Sequence, residues 1–274
     1  MRPAATARLR ETRRARFRRR IHLLPHLFTI GNLFAGWFAV SAVLAGDLDR
    51  AAVAIVVGFV LDSLDGAVAR LVKAPSRIGV QLDSLADIVT FGIATALLAF
   101  AWGTGGVASA GWGIHLRRVA WIASFAFLAA GTLRLARFNV MTVDQGTDRI
   151  LVRKDAFVGM PIPTAALCVA IVVHLLKEPV RLPALGGLWL VYLSTLAGLM
   201  ISRVPFPHFR RLLARPPRPH LLMLVLALLL PAVYYYSEVV LFSLLGAYLV
   251  AVLVSNLRRR RATEPLNELP ERGV

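Results

Sequence analysis

Four aspartates stand where an apolar helix should carry none. The stretch Val60-Leu61-Asp62-Ser63-Leu64-Asp65-Gly66-Ala67-Val68-Ala69-Arg70 closes one hydrophobic run, and Gly79-Val80-Gln81-Leu82-Asp83-Ser84-Leu85-Ala86-Asp87 opens the next. A charged side chain at the centre of a membrane helix costs about 2.5–3.5 kcal/mol on the insertion scale, and less towards the interface. Asp62 and Asp65 are three residues apart, and Asp83 and Asp87 four apart, so each pair shares one helix face. Two antiparallel helices joined by the short basic loop 71–81 bring these acidic faces together. Four converging carboxylates repel strongly at low dielectric, and one or two divalent cations relieve that repulsion. Oxygen-only ligands favour a hard ion such as Mg²⁺ or Mn²⁺ over zinc. Gly66 and Ala69 remove bulk beside the carboxylates, and Arg70, one turn beyond, is placed to hold an anionic phosphate. Metal ions and an arginine beside lipid describe a phosphate-transfer site. Helix caps and interhelical ion pairs account for one such aspartate, not for four at these spacings.

The scaffold that must position them is a membrane one. The 274-residue chain is 57% hydrophobic and only 17% charged, against about 25% charged in an ordinary soluble domain. That composition excludes a soluble globular enzyme, a disordered tail protein and a disulfide scaffold. Cys168 stands alone and has no partner for an internal bridge. At about 20 apolar residues per crossing, candidate spans fall at 27–45, 51–72, 82–102, 119–140, 162–176, 184–201, 220–236 and 239–257. Only helices satisfy their own backbone in lipid at such lengths. The expected fold is therefore an all-α, polytopic transmembrane helical bundle of about eight helices (six to eight). A basic tail (1–22) precedes the membrane domain (23–257), and a basic and polar tail (258–274) follows it.

Orientation follows from the loop cations. With the N-terminus inside, 27 of the 32 Lys and Arg are cytoplasmic, and only Arg50, Arg117, Arg118, Lys177 and Arg181 are not. The positive-inside rule then places both termini and the acidic faces on the cytoplasmic side of the cell membrane. Nine arginines in residues 1–20 suit anionic headgroups, so the basicity calls for membrane lipids and no nucleic acid. A cationic head ending at Ala42-Val43-Leu44-Ala45 also has the outline of a signal peptide, but the apolar stretch is too long and Thr29 and Asn32 interrupt it. The six histidines lack metal-ligand spacing; His174 reads as a helix-packing residue, and Tyr234-Tyr235-Tyr236 as an interfacial belt.

The acidic residues also spell a signature. Asp62-x2-Asp65-Gly66-x2-Ala69-Arg70-x8-Gly79-x3-Asp83-x3-Asp87 resembles, at every fixed position, the motif of the CDP-alcohol phosphatidyltransferase family. The resemblance implies a membrane enzyme that moves a phosphatidyl group from a CDP-linked lipid to an alcohol and releases CMP. Leu24-Pro25-His26-Leu27-Phe28-Thr29-Ile30-Gly31-Asn32-Leu33-Phe34, Gly131-Thr132-Leu133-Arg134-Leu135-Ala136-Arg137-Phe138-Asn139, Phe157-Val158-Gly159-Met160-Pro161-Ile162-Pro163 and Ser202-Arg203-Val204-Pro205-Phe206 are similar to stretches of the members that use serine. His26 departs from the asparagine frequent after that proline.

By the same resemblance, the substrates are CDP-diacylglycerol and L-serine, and the protein is a homodimer. Asp62, Asp65 and Asp83 are implied as main metal ligands, with Asp87 joining a second metal site and accepting the serine proton. Gly66, Ala69, Arg70, Ser76 and Gly79 are implied on the CDP-lipid side, with Leu24, Pro25, His26, Leu27, Thr29 and Asn32 towards the cytidine. Asn32 has a second reading, as an interhelical stitch worth roughly 0.6 kcal/mol. Serine carries a carboxylate, so its pocket should hold a cation. Arg134 and Arg137 share a helix face near Asn139, with Arg203 a further candidate, and each arginine also reads as a snorkelling anchor. Glycerol phosphate, inositol, inositol phosphate and choline are the alternative acceptors. A cation transporter is the reading from another class, but it predicts mid-membrane carboxylates and inverted repeats, which the sequence lacks.

Overall fold

The computed structural model describes residues 26–72, 77–105, 113–142 and 159–202. These residues are helical throughout apart from their connections, with no strand among them. The helices are α1 (His26–Leu44), α2 (Leu48–Val72), α3 (Arg77–Asp87), α4 (Thr95–Thr104), α5 (Gly113–Thr142), α6 (Ile162–Leu176) and α7 (Pro183–Ile201). A π-helical segment, Ile88–Ala94, joins α3 to α4, so that Ile78–Thr104 is one continuous apolar rod. Four rods, α1, Ile78–Thr104, α5 and α7, are long and apolar enough to cross a membrane. The chain is an integral membrane protein built as a helical bundle. The expected spans 220–236 and 239–257, and both tails, lie outside the described residues.

Two helix starts differ from expectation. α3 begins at Arg77 rather than at 82, and α5 at Gly113 rather than at 119. Hydropathy locates the apolar part of a helix, whereas backbone hydrogen bonding carries on through polar residues into the interface. Gly79 and Gln81 are thereby helical, and so are Arg117 and Arg118.

Side-chain size is sorted by face. α1 buries Asn32, Ala35, Ala39 and Ala42 and turns Leu27, Ile30, Phe34, Trp37 and Phe38 outward. Lipid is as apolar as leucine, so burying large residues gains little in a membrane; small residues instead let backbones approach and gain packing contact. α6 has 15 residues, or about 22 Å of rise, short of the roughly 30 Å hydrocarbon core. It is enclosed by the bundle, with Ile162, Ala165, Ala166, Val169, Ala170 and Val173 completely buried. Its N-terminus is pinned by the turn before it. Gly159 has φ +88°, and a Cβ there would lie 2.4 Å from the Met200 carbonyl oxygen, so only glycine fits. The Met160 N–H then donates to the Leu199 carbonyl of α7 at 3.0 Å.

The bundle end opposite this turn is tied separately. Trp189 Nε1 donates to the Ala99 carbonyl at 2.9 Å, its ring edge-on to Trp102 at 4.7 Å. His174 is a packing residue as expected, buried on α6 with Nδ1 2.6 Å from Asp49 Oδ1 at the start of α2.

Candidate active site

Thr29, Asn32, Asp65, Ser84 and Asp87, all buried polar residues, gather at one end of the bundle, with the start of α1, the end of α2, α3 and the end of α5. Asp62 of α2 meets Asp83 and Asp87 of α3, and one carboxylate oxygen from each lies within 4.8 Å of the others. Asp62 and Asp83 are half-buried, and Asp87 is only 7% exposed. Asp65 sits one turn further along α2, 6% exposed, and accepts a hydrogen bond from the Thr29 hydroxyl of α1. It is close enough to repel both Asp62 and Asp83. Each such carboxylate costs up to about 2.5–3.5 kcal/mol, the value at the helix centre. A donor set that is all oxygen, converging and surplus in negative charge fits a hard divalent cation.

α1 reaches this cluster with a polar stripe of i, i+3 spacing. His26 interacts electrostatically with Asp65, Thr29 donates to Asp65, and Asn32 Nδ2 donates to Asp87 Oδ1 at 3.2 Å. Thr29 and Asn32 thus touch site aspartates directly, as partners of the carboxylates. The Asn32 contact joins α1 to α3, which is the stitch reading of Asn32.

On α5 the three residues considered for serine separate. Arg134 faces inward and acts electrostatically on Asp87, whereas Arg137, one turn on, is exposed. Asn139 Nδ2 donates to Ser84 Oγ at 2.9 Å, and Ser84 Oγ also lies 3.0 Å from the Val80 carbonyl, the back-bond usual for a helical serine. Ser84 lies between Asp83 and Asp87 in sequence, so Asn139 is tied to the acidic turn of α3. Gly66 is half-buried on α2, beside Asp65, and Gly79 is half-buried in the first turns of α3. Ala69 and Arg70 continue α2, with side chains outside the described set. Leu27 points outward; Leu24, Pro25, Ser76 and Arg203 lie outside the described residues.

Two features were not anticipated from the sequence: Ser84, and Thr90 in the π-helical segment. The signal for both was a hydroxyl residue in an apolar run close to the aspartates.

Comparison with known proteins agrees with this geometry. Residues 22–201 match the CDP-alcohol phosphatidyltransferase family. A Bacillus subtilis CDP-diacylglycerol–serine O-phosphatidyltransferase is 32% identical over 191 residues, 70% of this chain and 93% of its own length. The enzyme of that name from Mycobacterium leprae is 31% identical over 246 residues, 87% of this chain and 76% of its own. One from Helicobacter pylori is 31% identical over 197 residues, 70% of this chain and 74% of its own. A family match over residues 22–201, a stretch that includes the aspartates the fold brings together, has one consequence: the chain belongs to the CDP-alcohol phosphatidyltransferase family.

Proposed function

We propose that the protein transfers the phosphatidyl group of CDP-diacylglycerol to the hydroxyl of L-serine, giving phosphatidylserine and CMP. The observation that carries this reading is the convergence of Asp62, Asp83 and Asp87 within 4.8 Å in a chain whose relatives bear that activity in their names. Asp62, Asp65 and Asp83 would hold Mg²⁺ or Mn²⁺, with Asp87 joining a second metal site. When bound, the ions screen the diphosphate and stabilise the CMP leaving group.

The chain's own residues do the rest. Serine Oγ forms the new bond to the lipid-bearing phosphorus, the bond from phosphorus to the CMP oxygen breaks, and the serine proton passes to Asp87. A carboxylate is a weak base for an alcohol, so positioning must supply much of the acceleration. Asn32, donating to Asp87 Oδ1, fixes that carboxylate while leaving its second oxygen for the proton. Arg134, close to Asp87, is the cation that suits the serine carboxylate. Gly66, Ala69, Arg70, Ser76 and Gly79 receive the CDP-lipid, with α1 and the residues before it towards the cytidine.

The loop cations support a site on the cytoplasmic side, with tails 1–22 and 258–274 flanking the membrane domain. The outward Phe34, Trp37 and Phe38 of α1 suit lipid contact, and the family resemblance supports a homodimer. The test is to incubate the purified protein with CDP-diacylglycerol, Mg²⁺ or Mn²⁺ and a panel of alcohols, then identify the lipid formed. Phosphatidylserine with stoichiometric CMP is expected. A product from glycerol phosphate, inositol or choline instead reassigns the acceptor, and no CMP release with any alcohol overturns the reading.

A further inference from the structure

Thr90 is fully buried in the π-helical segment, and its hydroxyl does something unusual. A threonine inside a helix ordinarily donates back to the carbonyl four residues earlier. Thr104, Thr132 and Thr195 do so here, to Phe100, Leu128 and Val191. Thr90 Oγ1 instead donates across the interface, to the Asn32 backbone carbonyl of α1 at 2.8 Å. The side-chain amide of that same Asn32 holds Asp87 at 3.2 Å. One α1 residue therefore grips the Ile78–Thr104 rod at two points, Asp87 and Thr90, three positions apart across the start of the π-helical segment.

The surroundings are shaped to this contact. A Cβ at Gly36 would fall 2.3 Å from Thr90 Oγ1. One at Gly58 would fall 2.6 Å from Thr90 Cγ2 and 3.0 Å from Asn32 Oδ1. Glycines on α1 and α2 thus let both backbones close on a single threonine. The Thr90 carbonyl meanwhile accepts from Thr95 Oγ1 at 3.2 Å, a bond spanning five residues.

We propose that Thr90 is a positioning residue for the transfer reaction: it clamps Asn32, and through Asn32 it sets the orientation of Asp87. This rests on the reading of Asp87 as a site carboxylate given above. Groups that orient a ligating or catalytic side chain typically matter about 10- to 100-fold, so a clamp one residue further out belongs at the lower end.

The experiment uses the purified full-length protein in detergent micelles. Thr90→Val keeps the shape and removes the donor; kcat should fall about tenfold with the KM for CDP-diacylglycerol within about twofold. Thr90→Ser, which restores the donor, should recover most of the loss. Combining Thr90→Val with Asn32→Ala should be no worse than Asn32→Ala alone, because the two act through one contact. Mn²⁺ binding without substrates, followed by the electron paramagnetic resonance of the free ion, should weaken severalfold in Thr90→Val and recover in Thr90→Ser. Should Thr90→Val fail to fold, Thr90→Ser against Thr90→Cys, a strong and a weak donor of similar size, poses the same question.

Unchanged kcat in Thr90→Val, equal losses in the Val and Ser variants, or additive losses with Asn32→Ala would each overturn the clamp. If the wild-type protein makes no phosphatidylserine, the functional reading fails by itself, and the Mn²⁺ titration decides the clamp alone.

Discussion

Asp87 differs from Asp62 in what surrounds it. Asp62 is half-buried with two like charges close by, whereas Asp87 also has an amide donor from Asn32 and the charge of Arg134. Asp62→Asn or Asp83→Asn should therefore abolish CMP release while the protein still inserts and folds, and full activity in excess chelator would contradict the metal role. Asp87→Asn should keep measurable CDP-diacylglycerol binding and lose turnover, because proton acceptance rather than donor capture is impaired; a collapse of lipid affinity as complete as in Asp62→Asn makes Asp87 chiefly a ligand. The two arginines should also part company. A charge-assisted hydrogen bond contributes on the order of 1.5–3 kcal/mol, or roughly 10- to 150-fold. Arg134→Gln should raise the KM for serine by about that factor, Arg134→Lys should restore only part because lysine lacks the bidentate fork, and exposed Arg137→Gln should change it little. Equal serine kinetics in wild type and Arg134→Gln return Arg134 to the role of membrane anchor. The aspartates were legible in the sequence because their insertion energy is anomalous. Their partners were not: Thr29 with Asp65, Asn32 with Asp87 and Asn139 with Ser84 are separated by 36, 55 and 55 residues, and such pairs are settled only by how the helices pack.

The helices themselves were legible wherever apolar length defined them; α6 spans the expected residues, 162–176. The π-helical segment was not, since Ile88–Ala94 reads as ordinary apolar helix, and the Thr90 bond to a carbonyl on another helix leaves no periodic signal. Such segments occur frequently at functional sites, and this one begins immediately after Asp87. The turn before α6 shows how element packing can be tested apart from chemistry. At Gly159 a Cβ meets the Met200 carbonyl oxygen at 2.4 Å with φ at +88°, whereas at Gly187 on α7 it meets nothing within 4 Å. Gly159→Ala should destabilise the protein by about 1–3 kcal/mol from backbone strain alone, and more if the turn separates from α7. Gly187→Ala should be neutral or stabilising by up to about 1 kcal/mol, the helix-propensity difference. Thermal unfolding in micelles measures both, and similar melting temperatures for the two variants would mean that the turn yields instead of holding α6 to α7.

Orientation in the membrane joins the acidic site to the charge distribution of the chain. The start of α1, the end of α2, the start of α3 and the end of α5 form one end of the bundle, and the Asp47 turn between α1 and α2 lies at the other. From Leu48 to Val72 α2 rises about 36 Å, more than the roughly 30 Å hydrocarbon core, so a label at Asp47 and one just past the end of α2 report opposite membrane faces. The 27-to-5 division of Lys and Arg favours the site on the cytoplasmic side. Cys168 is 3% exposed, so it gives little background; replacing it with serine leaves a clean frame for single cysteines. In intact cells, a membrane-impermeant maleimide should modify Asp47→Cys, and it should reach Ser76→Cys only after permeabilisation. The reverse pattern would place the aspartates on the outer face, away from cytoplasmic substrates, and would show that the arginines of the first twenty residues do not fix the topology. Labelling of both sites in intact cells would point to mixed insertion.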